Sequence, residues 1–390
     1  MPVADAAGTA TRAALLKRSA VVGATVLGAG AVAGAARAGD DGPRVFNAYD
    51  AGARPDGATD NTAILQGLLD TIRDSAGGGQ LYFPYVPSSG SVYLTRGLWV
   101  PSYTRITADP GIEIRAIGPS LDNRAQSNDS PYPDIPANGL FTISSQEAHG
   151  FAHKMHDVQI EGQFTINADN AILYCLEFNG AQDVRVRDVM MSSGVSDNVI
   201  LQIRNGNRVP GNENARIGLH RCVISSAGRN GVSLIAFRHV TLDECTISGS
   251  RGFPAAGIDV EPNFSSDPVR GLIVRNCLIA FNGREAIIFN PPTNGGLSSD
   301  NTDHLIEGCM LYENSLDRSG GNANQIQFAT NSGQGDALGA VRLVGNAISR
   351  SNGGNSVRND SAYYQVIAVG NVFGPAYSGP ATAFAGNWNS

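Results

Sequence analysis

The sequence predicts an all-β solenoid in which short parallel strands stack coil upon coil. Eight short apolar stretches share one residue pattern and recur at irregular steps of 23 to 37 residues, beginning at Ile160, Val186, Leu219, Leu242, Val274, Ile306, Leu343 and Ala368. A period in this range, built from β-type runs, is typical of solenoids. The chain also holds 47 glycines, and Asn, Asp and Ser cluster between the runs, as repeated turns require.

The repeat frame predicts which residues stack on one another. Its fourth position is occupied in turn by Gln163, Val189, Cys222, Cys245, Cys277, Cys309, Asn346 and Asn371. Equivalent positions should lie about 4.8 Å apart in neighbouring coils. Inward-facing cysteines behave as small apolar residues, so we expect a buried column of reduced thiols continued by an asparagine ladder. Disulfides and metal binding are the alternatives for these cysteines.

The first 38 residues have the pattern of a secretion signal. Basic residues up to Arg18 precede an uncharged run rich in Ala, Gly and Val, and small residues flank Arg37 at the expected cleavage point. The dense glycines and alanines make the run a poor membrane span. We therefore expect residues 1–38 to be a signal peptide, residues 43–390 to form the solenoid domain, and the protein to be secreted without a membrane anchor.

A capping helix is predicted directly after the first strand. Val45 and Phe46 suit a strand, Pro55-Asp56-Gly57 suits a turn, and Thr59 or Asp60 can cap a helix over residues 60–73. Its apolar residues recur at helical spacing from Ile64 to Ile72. Such a helix would cover the open edge of the first coil.

This N-terminal segment carries a family resemblance. Phe46-Asn47, Gly52-Ala53, the Asp56–Ile64 stretch and Gly77–Pro84 together resemble the start of the pectate lyase-like superfamily, in the branch of polygalacturonase-related proteins. The resemblance implies a single-stranded, right-handed parallel β-helix with three short sheets per coil. It leaves the activity open, because that fold serves hydrolases, lyases, epimerases and binding proteins. The polygalacturonase and mannuronan epimerase catalytic motifs are absent from the sequence.

Composition narrows the class of partner. Charged residues are 16% of the chain and the net charge is −7, with no basic block. Nucleic acid is therefore not an expected partner. A polysaccharide or oligosaccharide is the expected one, and the sequence does not indicate the oligomeric state.

The strongest candidate for chemistry is Ala256-Gly-Ile-Asp-Val-Glu-Pro-Asn263. On a strand, Ile258 and Val260 would face inward while Asp259 and Glu261 face outward, about 7 Å apart at Cβ. Paired carboxylates at this spacing suit acid–base work on a glycosidic bond, and their proximity would raise one pKa. We predict Asp259 and Glu261 as catalytic. No cofactor is required, but Asp259, Glu261 and Asn263 could instead bind Ca²⁺.

Polar side chains at equivalent positions predict a substrate-binding stripe across the coils. Its members are Glu177, Gln202, Arg204, Asn290 and Gln327, with Arg238 and Arg251 on flanking turns. Amide ladders that only stabilise the helix, and arginines that only pair with local acids, are the alternative interpretation. Phe253 and Phe264 bracket the acidic strand and could form sugar-stacking walls.

Four functions remain open on the sequence alone, of which a C5-epimerase has the least support. A secreted glycoside hydrolase or transferase is preferred, because a carboxylate pair is visible. A polysaccharide lyase acting on a uronate polymer would need a base and a charge neutraliser, which Arg238, Arg251 or a bound cation could supply. A non-catalytic carbohydrate-binding or surface β-helix is the third.

Overall fold

The computed structural model describes residues 44–119, 137–144, 155–203, 211, 213–292, 302–317, 324–329, 339–349, 355–361, 364–374, 377–378, 383–385 and 387–389. They belong to one compact unit, Pro43–Ser390. The signal peptide expected over residues 1–38 lies outside the described residues. Among those residues, no helix is long and apolar enough to cross a membrane.

Three parallel sheets run along the unit, and the chain visits them in turn. The first sheet contains β1 Val45–Asn47, β3 Gly79–Phe83, β6 Thr104–Ala108, β9 His156–Glu161, β12 Gln182–Arg187, β15 Asn214–His220, β18 Phe237–Asp243, β21 Val269–Arg275, β24 His304–Glu307, β27 Gly339–Val344, β30 Tyr364–Val369 and β33 Ala383–Ala385. The second contains β2 Asp56–Asp60, β4 Val92–Thr95, β7 Glu113–Ala116, β10 Thr165–Asn167, β13 Met190–Ser192, β16 Val223–Ser225, β19 Thr246–Ser248, β22 Leu278–Ala280, β25 Met310–Tyr312, β28 Ala347–Ile348, β31 Val372–Phe373 and β34 Trp388–Asn389. The third contains β5 Leu98–Trp99, β8 Gly139–Ser144, β11 Tyr174–Asn179, β14 Val199–Gln202, β17 Val232–Leu234, β20 Ile258–Val260, β23 Ile287–Phe289, β26 Ile326–Phe328, β29 Val357–Asn359 and β32 Tyr377–Ser378.

This is the predicted right-handed parallel β-helix, and its register follows the repeat frame residue by residue. The first residues of the eight stretches pair in order: Ile160 with Val186, then Leu219, Leu242, Val274, Ile306, Leu343 and Ala368. All eight are buried. Apolar side chains of this kind from all three sheets fill the interior of the coil.

The frame is wrong at one position in the first of these coils. Gln163 is exposed, and Phe164 takes the inward place instead, at 1% exposure. Gly162 precedes it with φ near 132°, a conformation open to glycine, so the chain gains a residue before turning inward. The turn between β9 and β10 is therefore one residue longer than the equivalent turn between β12 and β13.

The predicted cysteine column is confirmed. Cys222, Cys245, Cys277 and Cys309 are buried free thiols on the turn between the first and second sheets. The backbone N–H of Cys245 donates to Cys277 Sγ over 3.4 Å, and that of Cys309 donates to Asn346 Oδ1 over 2.9 Å. The asparagine ladder continues to Asn371 and then to Asn387, which the sequence pattern did not include.

The capping helix is also confirmed. Helix α1 spans Thr62–Asp74, against a prediction of residues 60–73. It buries Leu65, Leu69 and Ile72 fully against the first coils. Gln66 ties it to β5, since its amide exchanges two hydrogen bonds with the backbone of Trp99, at 2.9 and 3.2 Å.

Candidate active site

The acidic strand β20 lies in the third sheet with the predicted alternation. Ile258 and Val260 face the core, while Asp259 pairs in register with Ser233 of β17 and Ile288 of β23. One part of the prediction is wrong, because Asp259 is not exposed: its exposed fraction is 0%. Glu261, just after the strand, keeps 31% of its side chain exposed. The two carboxylates therefore share a face but not an environment.

Asp259 is buried because amide groups enclose it. Asn290 Nδ2 donates to Asp259 Oδ1 over 2.8 Å, and Asn230 Nδ2 donates to Asp259 Oδ2 over 3.0 Å. Asn230 is itself buried, and its Oδ1 accepts the backbone N–H of Ala256. Both carboxylate oxygens thus have a donor, as a buried acid requires.

Arg229 joins the carboxylates into one cluster, and sequence reasoning missed it. Its guanidinium lies 2.5 Å from Glu261 Oε2, 3.5 Å from Asp197 Oδ2 and 3.9 Å from Asp259 Oδ2. Because Nη2 lies near both Glu261 Oε2 and Asp259 Oδ2, those two oxygens are at most about 6.4 Å apart. Arg229 lies one coil before Asp259, on the turn that leads into β17. Its place beside the acids could have been found by stacking the turns of adjacent coils.

The surroundings raise the pKa of Asp259, Asp197 and Arg229, for different physical reasons. Burial, followed by the nearby Glu261 carboxylate, raises the pKa of Asp259 well above its usual range. Burial likewise raises the pKa of Asp197. For Arg229, burial acts to lower the pKa, but Asp197, Glu261 and Asp259 outweigh it and raise the pKa. Asp259 is therefore a buried carboxyl group with a raised pKa beside a partly exposed, ion-paired Glu261.

The predicted binding stripe is present in part. Glu177 occupies the row to which Ser233, Asp259 and Gln327 belong, whereas Gln202 stacks on Asn179 in the next row. Ile200 and Ile288 interrupt the polar row. Glu177 is fully buried and accepts a hydrogen bond of 2.7 Å from Gln202 Nε2, and Gln327 is 5% exposed. Much of this stripe is an internal polar network of the coil and not an open sugar-binding surface.

The other predicted binding residues do not form one group in the structure. Asn290 belongs to the Asp259 cluster. Arg238 does not reach it: this residue lies in the first sheet and pairs with Glu213 at 2.5 Å, and its binding role stays a prediction. Arg251 is exposed on the turn before β20. Arg204 lies outside the described residues. The sequence also predicts that the loops 204–214 and 291–303 wall a groove beside the acidic strand, and most of both loops lies outside the described residues as well.

Phe253 is the most exposed large apolar side chain among the described residues, at 81%. Its turn stacks on the turn of Arg229, since the N–H of Gly252 donates to the carbonyl of Gly228 over 2.7 Å. The guanidinium of Arg284 lies 5.0 Å from the centre of the Phe253 ring on the other side. Phe264 is less exposed, at 38%. An aromatic surface therefore flanks the acid cluster, where it suits the apolar face of a sugar ring.

The side chain of Arg229 competes with the bound Ca²⁺ that the sequence offered as an alternative. In the described part of the chain, no group of three or more His, Cys, Asp or Glu side chains is arranged to hold a metal ion. Arg229 already provides the positive charge between Asp259 and Glu261. The backbone N–H of Asn263 donates to Asp267 Oδ2 over 3.0 Å, which draws that residue into its own turn.

Comparison with known proteins identifies the fold and leaves the activity open. No family model matches the chain. The uncharacterized protein YclG of Bacillus subtilis is 26% identical over 234 residues, which are 56% of this chain and 38% of YclG. The chain therefore spans well under half the length of this curated relative.

Solved structures resemble most of the described unit. The surface adhesin PfbA of Streptococcus pneumoniae has a TM-score of 0.61 at 16% identity, covering 86% of this chain and 81% of PfbA. The A-module of the mannuronan C-5 epimerase AlgE4 of Azotobacter vinelandii has a TM-score of 0.57 at 15% identity, covering 88% and 91%. A family 28 exopolygalacturonase of Yersinia enterocolitica has a TM-score of 0.50 at 11% identity, covering 89% and 78%. The resemblance to pectate lyase-like β-helix proteins is thus confirmed at the level of the fold.

Proposed function

We propose that this protein is a secreted, polysaccharide-acting enzyme that cleaves or transfers glycosidic bonds at the Asp259–Glu261 pair. The observation that carries the proposal is the division of the pair into a buried Asp259, whose pKa is raised, and a partly exposed Glu261, around one arginine. Two carboxyls in contrasting environments are the usual arrangement for acid and base roles in glycoside hydrolysis. Two structural neighbours, the epimerase and the exopolygalacturonase, are named for enzymes that act on polysaccharides.

Each residue has a defined role in this proposal. Glu261 is the charged carboxylate that attacks the sugar or activates water, held in orientation by Arg229. Asp259 supplies the proton to the leaving oxygen. One of its two amide partners must give up its hydrogen bond so that a carboxyl oxygen of Asp259 can contact the substrate. Substrate binding is therefore part of the catalytic step. Activity should therefore fall as the pH rises through the raised pKa of Asp259, because the proton is then lost.

A non-catalytic carbohydrate-binding protein is the second candidate. The complete burial of Asp259, with a donor on each oxygen, favours it, because a fully enclosed acid can simply stabilise the coil. The neighbour PfbA is named as an adhesin. In this case Phe253 and the exposed edge of Glu261 would contact a glycan without cleaving it.

The test is a panel of neutral and acidic polysaccharides assayed for new reducing ends and for unsaturated products. We expect wild-type protein to release reducing ends from at least one polymer, without unsaturation. Asp259→Asn and Glu261→Gln each keep the side-chain shape but remove proton transfer, so each should lower kcat by about 100-fold or more. Glu307→Gln, an exposed acid of the first sheet, is the matched control and should keep full activity.

The same panel separates the other functions. Unsaturated products would assign a lyase in place of a hydrolase. Activity lost on chelation and restored by Ca²⁺ would assign the pair to a metal. Retention of a polymer with no product of either kind would favour the binding protein. Full activity in both acid variants would place the active site elsewhere.

A further inference from the structure

Asp197 is a buried carboxylate to which the proposed chemistry assigns no step. It lies two residues before β14, on the turn that enters the third sheet, and its exposed fraction is 0%. Its Oδ1 accepts the backbone N–H of Asn230 in the next coil over 2.9 Å. Its Oδ2 accepts a hydrogen bond of 3.3 Å from Ser196 Oγ and lies 3.5 Å from Arg229 Nη1. Asp197 therefore contacts both the next coil and the guanidinium of the acid cluster.

Asparagine occupies the equivalent place in two other coils. Asn230 and Asn324 lie two residues before β17 and β26, in the same register as Asp197. Asn230 Oδ1 accepts the backbone N–H of Ala256 over 2.9 Å, and Asn324 Oδ1 accepts that of Asn355 over 3.0 Å. An amide oxygen is therefore enough to link neighbouring coils at this position. The negative charge of Asp197 is not needed for that link.

The charge of Asp197 acts on Arg229. The two turns stack directly, since the backbone N–H of Arg229 donates to the carbonyl of Ser196 over 2.7 Å. Nη1 of the guanidinium points toward Asp197, while Nη2 lies 2.5 Å from Glu261 Oε2. A guanidinium is a planar, rigid fork, so fixing one end also fixes the direction of the other.

This placement leaves Asp259 beyond hydrogen-bond reach of the guanidinium. Arg229 Nη2 lies 3.9 Å from Asp259 Oδ2, which is too far for a hydrogen bond. The hydrogen bonds to the Asp259 carboxyl come instead from the neutral amides of Asn230 and Asn290. A direct hydrogen bond from a cation would favour the charged form of Asp259, whereas a proton donor must be neutral.

We propose that Asp197 is a positioning residue that anchors the Arg229 guanidinium beside Glu261. The anchored cation then makes no hydrogen bond to Asp259, which stays a proton donor. The consequence for catalysis rests on the proposed function, but the anchoring itself can be tested without a substrate.

The charged groups that act on Asp259 are Glu261, Arg229 and Asp197. After burial, Glu261 is the main cause of the raised pKa of Asp259; Arg229 opposes it, and Asp197 adds a smaller rise. Loss of the Asp197 charge should lower the pKa of Asp259 in two ways. It removes a like charge, and it frees the cation to approach.

Asp197→Asn tests the anchor, because the amide keeps the oxygen that accepts the Asn230 N–H and removes only the charge. In a crystal structure of this variant, a guanidinium nitrogen of Arg229 should lie within hydrogen-bond distance of Asp259. The infrared band of the protonated Asp259 carboxyl should disappear at a pH lower than in wild type by about 1 or more. Asp259→Asn, made in both backgrounds, identifies that band by its loss.

The control is Asp188→Asn, on the turn between the first and second sheets. It breaks another arginine–aspartate pair between adjacent coils, Arg221–Asp188 at 2.7 Å, and should leave the Asp259 band unchanged. On any polymer that wild type cleaves, the high-pH limit of activity should move down in Asp197→Asn and stay in place in the control. Melting curves that match wild type establish that both variants are folded.

Two results overturn the proposal in folded Asp197→Asn protein: a guanidinium that stays out of hydrogen-bond reach of Asp259, or a band that titrates as in wild type. A variant that does not fold overturns it equally, because the charge of Asp197 would then be structural. If wild type cleaves no polymer, the proposed function fails, while the geometry and the band still decide the role of Asp197.

Discussion

Arg229 is the residue on which the acid cluster depends. It offers positive charge to Asp197, Asp259 and Glu261, and the first two carboxyl groups are fully buried. Buried acids are tolerated when they are hydrogen-bonded and when opposite charge is near. The backbone N–H of Asn230 and the Asn230 and Asn290 amides supply the hydrogen bonds, and Arg229 supplies the charge.

Arg229→Met should therefore destabilise the protein by about 3–5 kcal/mol at neutral pH, because it leaves buried acids without a counter-charge. The loss should shrink at acidic pH, where the remaining carboxyls take up protons. Urea unfolding at several pH values measures both effects. Arg251→Met, on the next turn, removes an exposed arginine and is the control, with little expected change. Equal losses in both variants would show that Arg229 does not serve the buried acids.

At the scale of the structural element, the turn between the first and second sheets is a stacked column that changes chemistry along its length. Thiols occupy it from Cys222 to Cys309, and side-chain amides continue it from Asn346. Each thiol from Cys245 to Cys309 also donates to a backbone carbonyl of the preceding coil, over 3.4 to 3.5 Å. A small inward side chain is needed here, and its polar contacts run along the axis.

Thiol titration and a cavity variant test this column. All five cysteines should react as free thiols in denatured, unreduced protein, and they should be protected in the folded state. Burial raises the pKa of Cys175 to about 12, which keeps its thiol protonated and unreactive. Cys245→Ala should cost about 1–3 kcal/mol through the space left behind. Fewer than five titratable thiols before reduction would contradict the reduced column.

Across the whole molecule, buried ionisable groups make stability depend on pH in two opposing ways. Burial raises the pKa of Asp197, Asp259 and Glu285. These groups bind protons more tightly when folded, so their contribution is present at acidic pH and is lost as pH rises above the ordinary values of 3.8 to 4.5 and through the raised ones. Burial lowers the pKa of His304 to about 4, so its contribution is present above 6.5 and is lost as pH falls toward 4.

Variants separate these two contributions. Relative to wild type, Glu285→Gln should become progressively more stable as pH rises from about 4 upward, because wild type loses its proton and the amide does not. The difference in melting temperature between variant and wild type, measured from pH 4 to 8, isolates this group from His304. Glu307→Gln, at an exposed site, should show a flat difference. A flat difference for Glu285→Gln would show that its carboxyl is not perturbed by folding.

Export from the cell is a separate proposal for the whole molecule. It depends on the signal-like pattern of residues 1–38, which lie outside the described residues. N-terminal sequencing of protein recovered from the culture medium would test it, with cleavage expected close to Ala38.

By itself, the sequence determined the solenoid, the register of its coils, the capping helix and the cysteine column. It could do so because a β-helix repeats one local pattern: inward apolar positions return once per coil, and a wrong register would expose every one of them. The alternation that buries Ile258 and Val260 beneath an outward Asp259 follows from the same period of two. The one wrong position in the repeat frame is Gln163. It lies in the turn after Gly162, which contains one extra residue, and no apolar residue in the sequence indicates that insertion.

Only the tertiary structure decided the character of the site. The burial of Asp259 depends on Asn230 and Asn290, which are 29 and 31 residues away and come from neighbouring coils. Arg229, and not Arg238 or Arg251, reaches the acids because its turn stacks beside theirs. These contacts run across coils through irregular turns, where no sequence period operates. Charge, burial and hydrogen bonding at the site therefore follow from which turns the coiling brings together, and a pattern read along one strand does not contain them.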